Sequence, residues 1–240
     1  MRSARYDAVA DFYDAGFSDP RDPVLTALLD LLGPPQGRRV LDLACGHGRV
    51  AREVARLGAA VIGVDLSAAL LDKARAQEDA EPLGIRYVHA DAASVPEVGD
   101  ASVDAVACNF GLADIDDLDG ALATTRRVLT KGGLFVFSIL HPCFAGTDTV
   151  SGTWPADRDY HDEGFWTADS RYSTLRRQVG ANHRMLSTYV NALSRQGLLI
   201  RTMSEPSAPL EWNTDERRAA ARLPVFLAVQ CTKGSAEPRS

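Results

Sequence analysis

The chain has 240 residues, 45% hydrophobic and 24% charged, the composition of an ordinary globular protein long enough for one α/β domain with an excursion. With 26 basic against 32 acidic side chains the formal charge is −6, which excludes a broad electrostatic footprint for nucleic acid. No run approaches the ~18 apolar residues of a membrane span, and the cysteines, Cys45, Cys108, Cys143 and Cys231, form no CxxC pair that would suggest a disulfide framework or a metal site.

Residues 1–18 predict a helix, since Tyr6, Val9, Ala10, Tyr13 and Phe17 recur at spacings of three and four. The same segment carries Asp7, Asp11 and Asp14 and lacks the apolar core of a signal peptide, so a cytoplasmic protein is expected. A second helix, about 23–32, stops at Gly33-Pro34-Pro35. Short apolar runs then alternate with helical patterns, with strands near 39–43, 60–64, 85–89, 103–108 and 133–140 and helices near 48–58, 67–77 and 117–129. After residue 141 the pattern breaks. Residues 142–184 mix glycine and proline with Phe144, Trp154, Tyr160, Phe165, Trp166 and Tyr172, and so long an irregular connection, rich in aromatics, is expected to be a substrate lid. A helix over 187–197, capped by Ser187 and closed by Gly197, precedes late strands at 198–204 and 225–232, joined by a polar helical stretch near 214–222. The expectation is one domain over 1–240: a helical cap (1–35), a core (38–141), the lid insert (142–184), a C-terminal helix and hairpin (185–233) and a disordered tail (234–240).

The segment VLDLACGHGRV, residues 40–50, carries the most chemistry. A strand ending in Asp42-Leu43 drops into the small-residue turn Ala44-Cys45-Gly46-His47-Gly48 and then into a helix. Such a unit lets a ligand approach the backbone and aims free N–H groups at it. A dinucleotide-binding turn requires G-x-G-x-x-G, whereas the order here is D-x-A-x-G-x-G, without the third glycine. Asp65 ends the second run, Asp91 follows the third, and Asn109-Phe110-Gly111 closes the fourth. An acid at the tip of the second strand can accept from ribose hydroxyls, although Asp65 also suits the N-cap region of the following helix.

In these segments, and in the Lys131-Gly132-Gly133 turn before the fifth strand, the chain resembles the class I S-adenosylmethionine-dependent methyltransferases, whose first motif reads (V/L)LD(L/V)(A/G)CGxG. The resemblance covers nearly the whole chain and is strongest over 38–140. It implies a Rossmann-like α/β fold, a seven-stranded mostly parallel sheet with an antiparallel last strand and helices on both faces. It further implies that the loop at Ala44, Cys45 and Gly46 cradles the methionine part of S-adenosylmethionine, with Asp42 helping to hold it. Asp65, with Leu66 beside it, would take the ribose, and Asp91 and Ala92 the adenine. Cofactor and substrate would meet at Asn109 and Phe110. Tyr13, on the N-terminal helix, either bonds the cofactor or packs on the sheet.

Methyl transfer from a sulfonium is an in-line displacement, so the protein aligns the nucleophile, excludes water and, where needed, removes a proton. His141, directly after the fifth strand, is placed to be a base or to pack at the strand end, and His183 is the second candidate for a base. Tyr160, Phe165 and Trp166 of the insert are candidates for substrate binding. Asp114, Asp116, Asp117 and Asp119 look at first like a metal cluster, but a helix N-terminus explains them and no metal is expected. The expected reaction is O- or N-methylation of an aromatic or amphipathic metabolite by a monomer or homodimer, with S-adenosylhomocysteine as product and neither nucleic acid nor membrane as partner. C-methylation, or a cofactor-binding protein that transfers no methyl, are the alternatives.

Overall fold

The computed structural model describes residues 4–16, 22–145, 152–154, 158–168, 174–207 and 223–234. Strands β1 (Arg39–Leu43), β2 (Ala60–Asp65), β3 (Arg86–His89), β4 (Val103–Asn109), β5 (Leu129–Leu140), β8 (Leu198–Ser204) and β9 (Phe226–Lys233) form one sheet in the order β3-β2-β1-β4-β5-β9-β8. The first five are parallel, and β9 runs antiparallel to both β5 and β8. This is the sheet the resemblance implied.

Burial on both faces follows from the alternation of side chains along each strand. Leu41, Leu43, Val106, Phe135 and Phe137 pack on one face with Leu122 of α5 (Leu118–Val128) and Tyr189 and Leu193 of α7 (Leu186–Arg195). Val40, Ala105, Ala107 and Val136 pack on the other with Leu25 and Leu28 of α2 (Pro23–Leu32) and Val50 and Val54 of α3 (Arg49–Arg56). The helix α2 starts where Asp22 Oδ1 accepts the Val24 N–H ahead of Pro23, and it stops at Gly33, φ +67°.

The N-terminal segment is a 3₁₀ turn (Asp7–Val9) followed by α1 (Ala10–Gly16), shorter than the single helix expected over 1–18. It docks on α4 (Ala68–Ala80). Asp7 Oδ1 accepts from Ser67 Oγ at 2.7 Å and Ala69 N at 3.2 Å, and Lys73 bonds Asp11 and Asp14. Three further expectations need correcting. Strand β5 begins at Leu129, four residues early, because the Lys-Gly-Gly turn bulges out of the strand between the pairs Val103–Leu129 and Ala105–Leu134. Ser187 lies inside α7, whose N-cap is Met185, because Tyr160 Oη, rather than a local hydroxyl, accepts the Leu186 N–H. The insert is not wholly irregular, since β6 (Gly164–Trp166) and β7 (Ala181–His183) pair antiparallel, joined through α6 (Thr174–Val179). The expected helix near 214–222 and, beyond Gly234, the tail lie outside the described residues.

Gly63 and Tyr87 are paired across β2 and β3, and the phenol ring lies over the glycine. A Cβ on Gly63 would stand 2.7 Å from Tyr87 Cδ1 and 3.0 Å from Cys45 Sγ. Gly63→Ala should therefore destabilise the protein by about 1–3 kcal/mol, the usual cost of overpacking. Urea denaturation checks this, and a Tyr87→Ala background should remove most of the penalty.

Candidate active site

The carboxyl ends of β1 to β5 share one edge of the sheet, and the strand order reverses between β1 and β4, where open α/β sheets bind ligands. Here β1 turns into α3 through three left-handed residues, Ala44 (φ +58°), Gly46 (φ +57°) and Gly48 (φ +88°). Side chains rarely adopt that conformation, so Ala44 holds it at the expense of local strain. Two bonds shape the loop, Cys45 N donating to Val64 O at 2.9 Å and Gly46 N donating to Asp65 Oδ2 at 2.7 Å. The other Asp65 oxygen accepts the Ser67 N–H at 2.8 Å, and burial raises the carboxyl above its ordinary pKa while these N–H groups oppose the rise. Cys45 and Cys108 are both buried among packed neighbours.

Asp42 sits beneath the loop and is 1% exposed. Its Oδ2 accepts the Ala51 N–H in the first turn of α3, and Oδ1 has no protein partner. His47 is also buried, with neither ring nitrogen bonded to protein. Above the loop lies the N-terminal segment. The Tyr13 ring comes within 3.5 Å of where a Gly46 Cβ would stand, and it meets the rings of His47 and Tyr6 edge-on. At the tip of β3, His89 Nε2 lies 2.8 Å from Leu66 O, while Asp91 is exposed and accepts the Ala93 N–H through Oδ1. Ala92 is buried beside it.

At the tip of β4, Phe110 is held at φ +59° by its N–H, which donates to Ser138 O and Oγ, and Ser138 Oγ in turn donates to Asn109 Oδ1 at 2.7 Å. Phe110 forms one wall of a small cleft. Leu140 at the end of β5, Pro142 just after it, Tyr189 of α7, and Arg176, Asn182 and Arg184 of the insert are among the residues that line it.

The side chains proposed from sequence to touch substrate stand outside this lining. Phe165 is exposed beneath the Arg5 guanidinium, Trp166 is buried, and Tyr160 caps α7. Neither histidine lines the cleft. His141 Nδ1 accepts the Cys143 N–H at 3.1 Å and Nε2 faces Glu205 at 3.1 Å, while burial lowers the imidazole pKa. His183 is 1% exposed, with Nε2 2.8 Å from Tyr160 O and Nδ1 sealed without a partner.

A polar cluster around Asp114 escaped the sequence reading. Tyr6 Oη donates to its Oδ2 at 2.8 Å and Arg176 to its Oδ1, while Arg5 bonds the Asp114 carbonyl and the Asp116 carboxylate. Nothing local in the sequence marks these pairings, which join residues more than sixty positions apart.

These groups fit an S-adenosyl ligand. Acids stand at the tips of β2 and β3 as acceptors, and His47 brings a buried imidazole whose nitrogens lack partners. Burial pushes the Asp42 carboxyl up to about 8, with the Ala51 N–H opposing and Asp65 adding. A carboxyl raised on folding contributes stability that is present below its unfolded pKa of ~4 and lost as pH rises through the folded value. Asp42→Asn should thus gain on the wild type between about pH 4 and about pH 8, the difference in melting temperature opening steadily with pH. Thermal melts of the ligand-free protein check this, and a pH-independent gap would mean that Asp42 ionises normally.

Residues 41–137 match the family model described as a methyltransferase domain. The ubiquinone/menaquinone biosynthesis C-methyltransferase of Acidiphilium cryptum is 37% identical over 136 residues, 55% of this chain and 53% of that protein. The ubiquinone biosynthesis O-methyltransferase of Paracidovorax citrulli is 35% identical over 122 residues, 50% of this chain and 51% of its own. The chain thus spans about half the length of these curated relatives. Among solved structures, an S-adenosylmethionine-dependent methyltransferase from Mesorhizobium loti superposes with a TM-score of 0.68 at 29% identity, covering 88% of this chain and 96% of that one. The sheet order, the loop and these matches together show a methyltransferase domain over residues 41–137 and make the chain similar to the class I S-adenosylmethionine-dependent methyltransferases.

Proposed function

We propose that this protein transfers a methyl group from S-adenosylmethionine to a small cyclic acceptor bound in the cleft beside Phe110. The observation that carries this reading is the position of the cleft. It opens at the carboxyl ends of β4 and β5, next to the loop that would hold the donor, and combines the apolar walls Phe110, Leu140, Pro142 and Tyr189 with a few polar groups. In this reading the backbone at Ala44, Cys45 and Gly46 holds the methionine end. Asp65, beside Leu66, takes the ribose hydroxyls on its remaining lone pairs, and Asp91 with Ala92 takes the adenine. Tyr13 covers the site.

The relatives named above are a C- and an O-methyltransferase of quinone biosynthesis. That favours an oxygenated ring, methylated on oxygen or, as in the alternative drawn from sequence, on the neighbouring carbon, over N-transfer. Among the described residues no helix is long and apolar enough to cross a membrane.

Calorimetry with S-adenosylmethionine, S-adenosylhomocysteine and NAD tests the donor, and the first two should bind while NAD does not. Methyl-labelled donor incubated with ring-oxygenated metabolites tests the transfer. Asp65→Ala should weaken S-adenosylhomocysteine binding about ten- to a hundredfold, the cost of a lost hydrogen bond to a charged acceptor. Gly46→Val should be worse, because a branched side chain at φ +57° fills the cradle. Normal affinity in a folded Asp65→Ala protein would remove Asp65 from the site.

A further inference from the structure

Among the described residues, two cations and no acid line the cleft. Arg176 is neutralised by Asp114. Arg184, half-buried, is not: Nη1 donates to Leu112 O at 2.8 Å and Nη2 to Ile115 O at 2.7 Å and Asp116 O at 3.0 Å, all neutral carbonyls. No carboxylate among the described residues lies within ion-pair distance of it, and the Asp116 carboxylate is taken by Arg5 and Asn182. Three of the five guanidinium N–H groups are thereby engaged with carbonyls and the guanidinium also bonds the Tyr189 hydroxyl, so all of these partners are neutral. A partly desolvated charge without a counter-ion favours a ligand that supplies one.

The histidines point to the same class of ligand. The His141 lone pair is taken up by the Cys143 N–H, His183 is fixed by Tyr160 O, and neither lines the cleft. Neither of these imidazoles therefore stands ready to deprotonate a bound acceptor.

We infer that the acceptor enters as an anion, a small molecule bearing a carboxylate, phenolate or enolate, with Arg184 as its counter-ion. The inference rests on the methyl-transfer reading above. An electron pair of the ionised group forms the bond to the methyl carbon, and the carbon–sulfur pair stays on the departing sulfur. Anion and sulfonium neutralise each other. Attack through oxygen, or through the α-carbon of an enolate, leaves no proton to remove, whereas attack through a ring carbon of a phenolate ends with loss of that carbon's proton to water as the ring regains its aromaticity.

The test uses 4-nitrophenol, whose ionised form is visible by absorbance, titrated against pH with the S-adenosylhomocysteine-saturated protein. Phenolate should bind about tenfold or more tightly than phenol, so the bound probe should ionise about one pH unit or more below the free probe. Arg184→Gln should abolish this shift and Arg184→Lys keep part of it. Where Arg184→Gln does not fold, competition on the wild type gives the same answer: benzoate should displace the probe and benzamide should not. Absence of binding, an unshifted or raised midpoint, a shift that survives in folded Arg184→Gln, or equal competition by the amide would each overturn the inference. Calorimetry with S-adenosylhomocysteine on the same sample separates the two readings. Lack of binding there defeats the methyl-transfer proposal, whereas normal binding with an unshifted probe defeats only the anionic acceptor.

Discussion

The carboxylate of Asp114 joins two stretches of chain that have no other reason to meet. Tyr6 brings the N-terminal segment to one oxygen, and Arg176 brings the insert to the other. A charge withdrawn from water in this way is tolerable only with its hydrogen bonds filled, and each donor is correspondingly committed. Burial and Asp114 both raise the Tyr6 phenol above its ordinary pKa, and at Arg176 burial works to lower the pKa while Asp114, with Tyr6 and Tyr13, carries it above the ordinary value. Much of the upper half of the molecule takes its place from this junction. With Tyr6 fixed, Tyr13 lies over the β1–α3 loop; with Arg176 fixed, one wall of the cleft stands beside Phe110. Arg5 extends the junction by bonding Asp116 and covering the Phe165 ring at 4.9 Å. The donor and acceptor sides of the proposed reaction are thus closed by groups that share one anion.

Beneath this junction the sheet supplies a rigid edge. The Asp65 carboxylate ties the loop after β1 to the end of β2, and Ser138 ties the tip of β4 to β5. These bonds are short in reach and come from residues at strand ends, where backbone position is fixed by ladders on both sides. A site that must align a nucleophile with a methyl carbon gains from such anchoring, since small misplacements carry large rate penalties.

Much of the core was legible because its signals are local. The apolar runs with acids at their tips, the Pro23 start and Gly33 stop of α2, and the small-residue turn after Asp42 each reflect chemistry acting within a few residues. The seven-stranded, mostly parallel sheet with its antiparallel last strand followed from the resemblance those motifs carried. What stayed hidden depends on distant partners. Asp114 reads in sequence as one of several acids at a helix N-terminus, and only the fold pairs it with Arg176. The pairing of Gly164–Trp166 with Ala181–His183 was missed because each strand has three residues, too few for an alternation to register. The candidate histidines show a different limit. Position after a strand suggested exposure to substrate, yet the backbone N–H of Cys143 and the carbonyl of Tyr160 bind the rings that position alone left free.

The left-handed turn at Ala44 also restricts a second loop. Its methyl group faces Gly111, where an added Cβ would approach Ala44 Cβ to 2.6 Å and Cys108 Sγ to 2.8 Å. The loops after β1 and β4 therefore leave room for one methyl group between them. Alanine can occupy position 44 because glycine stands at 111, and the exchange in the other direction requires both glycine at 44 and a smaller neighbour than Cys108. The two positions behave as one steric unit, so the choice of residue in the loop proposed to hold the donor also fixes how closely the loop bearing Phe110 can approach it.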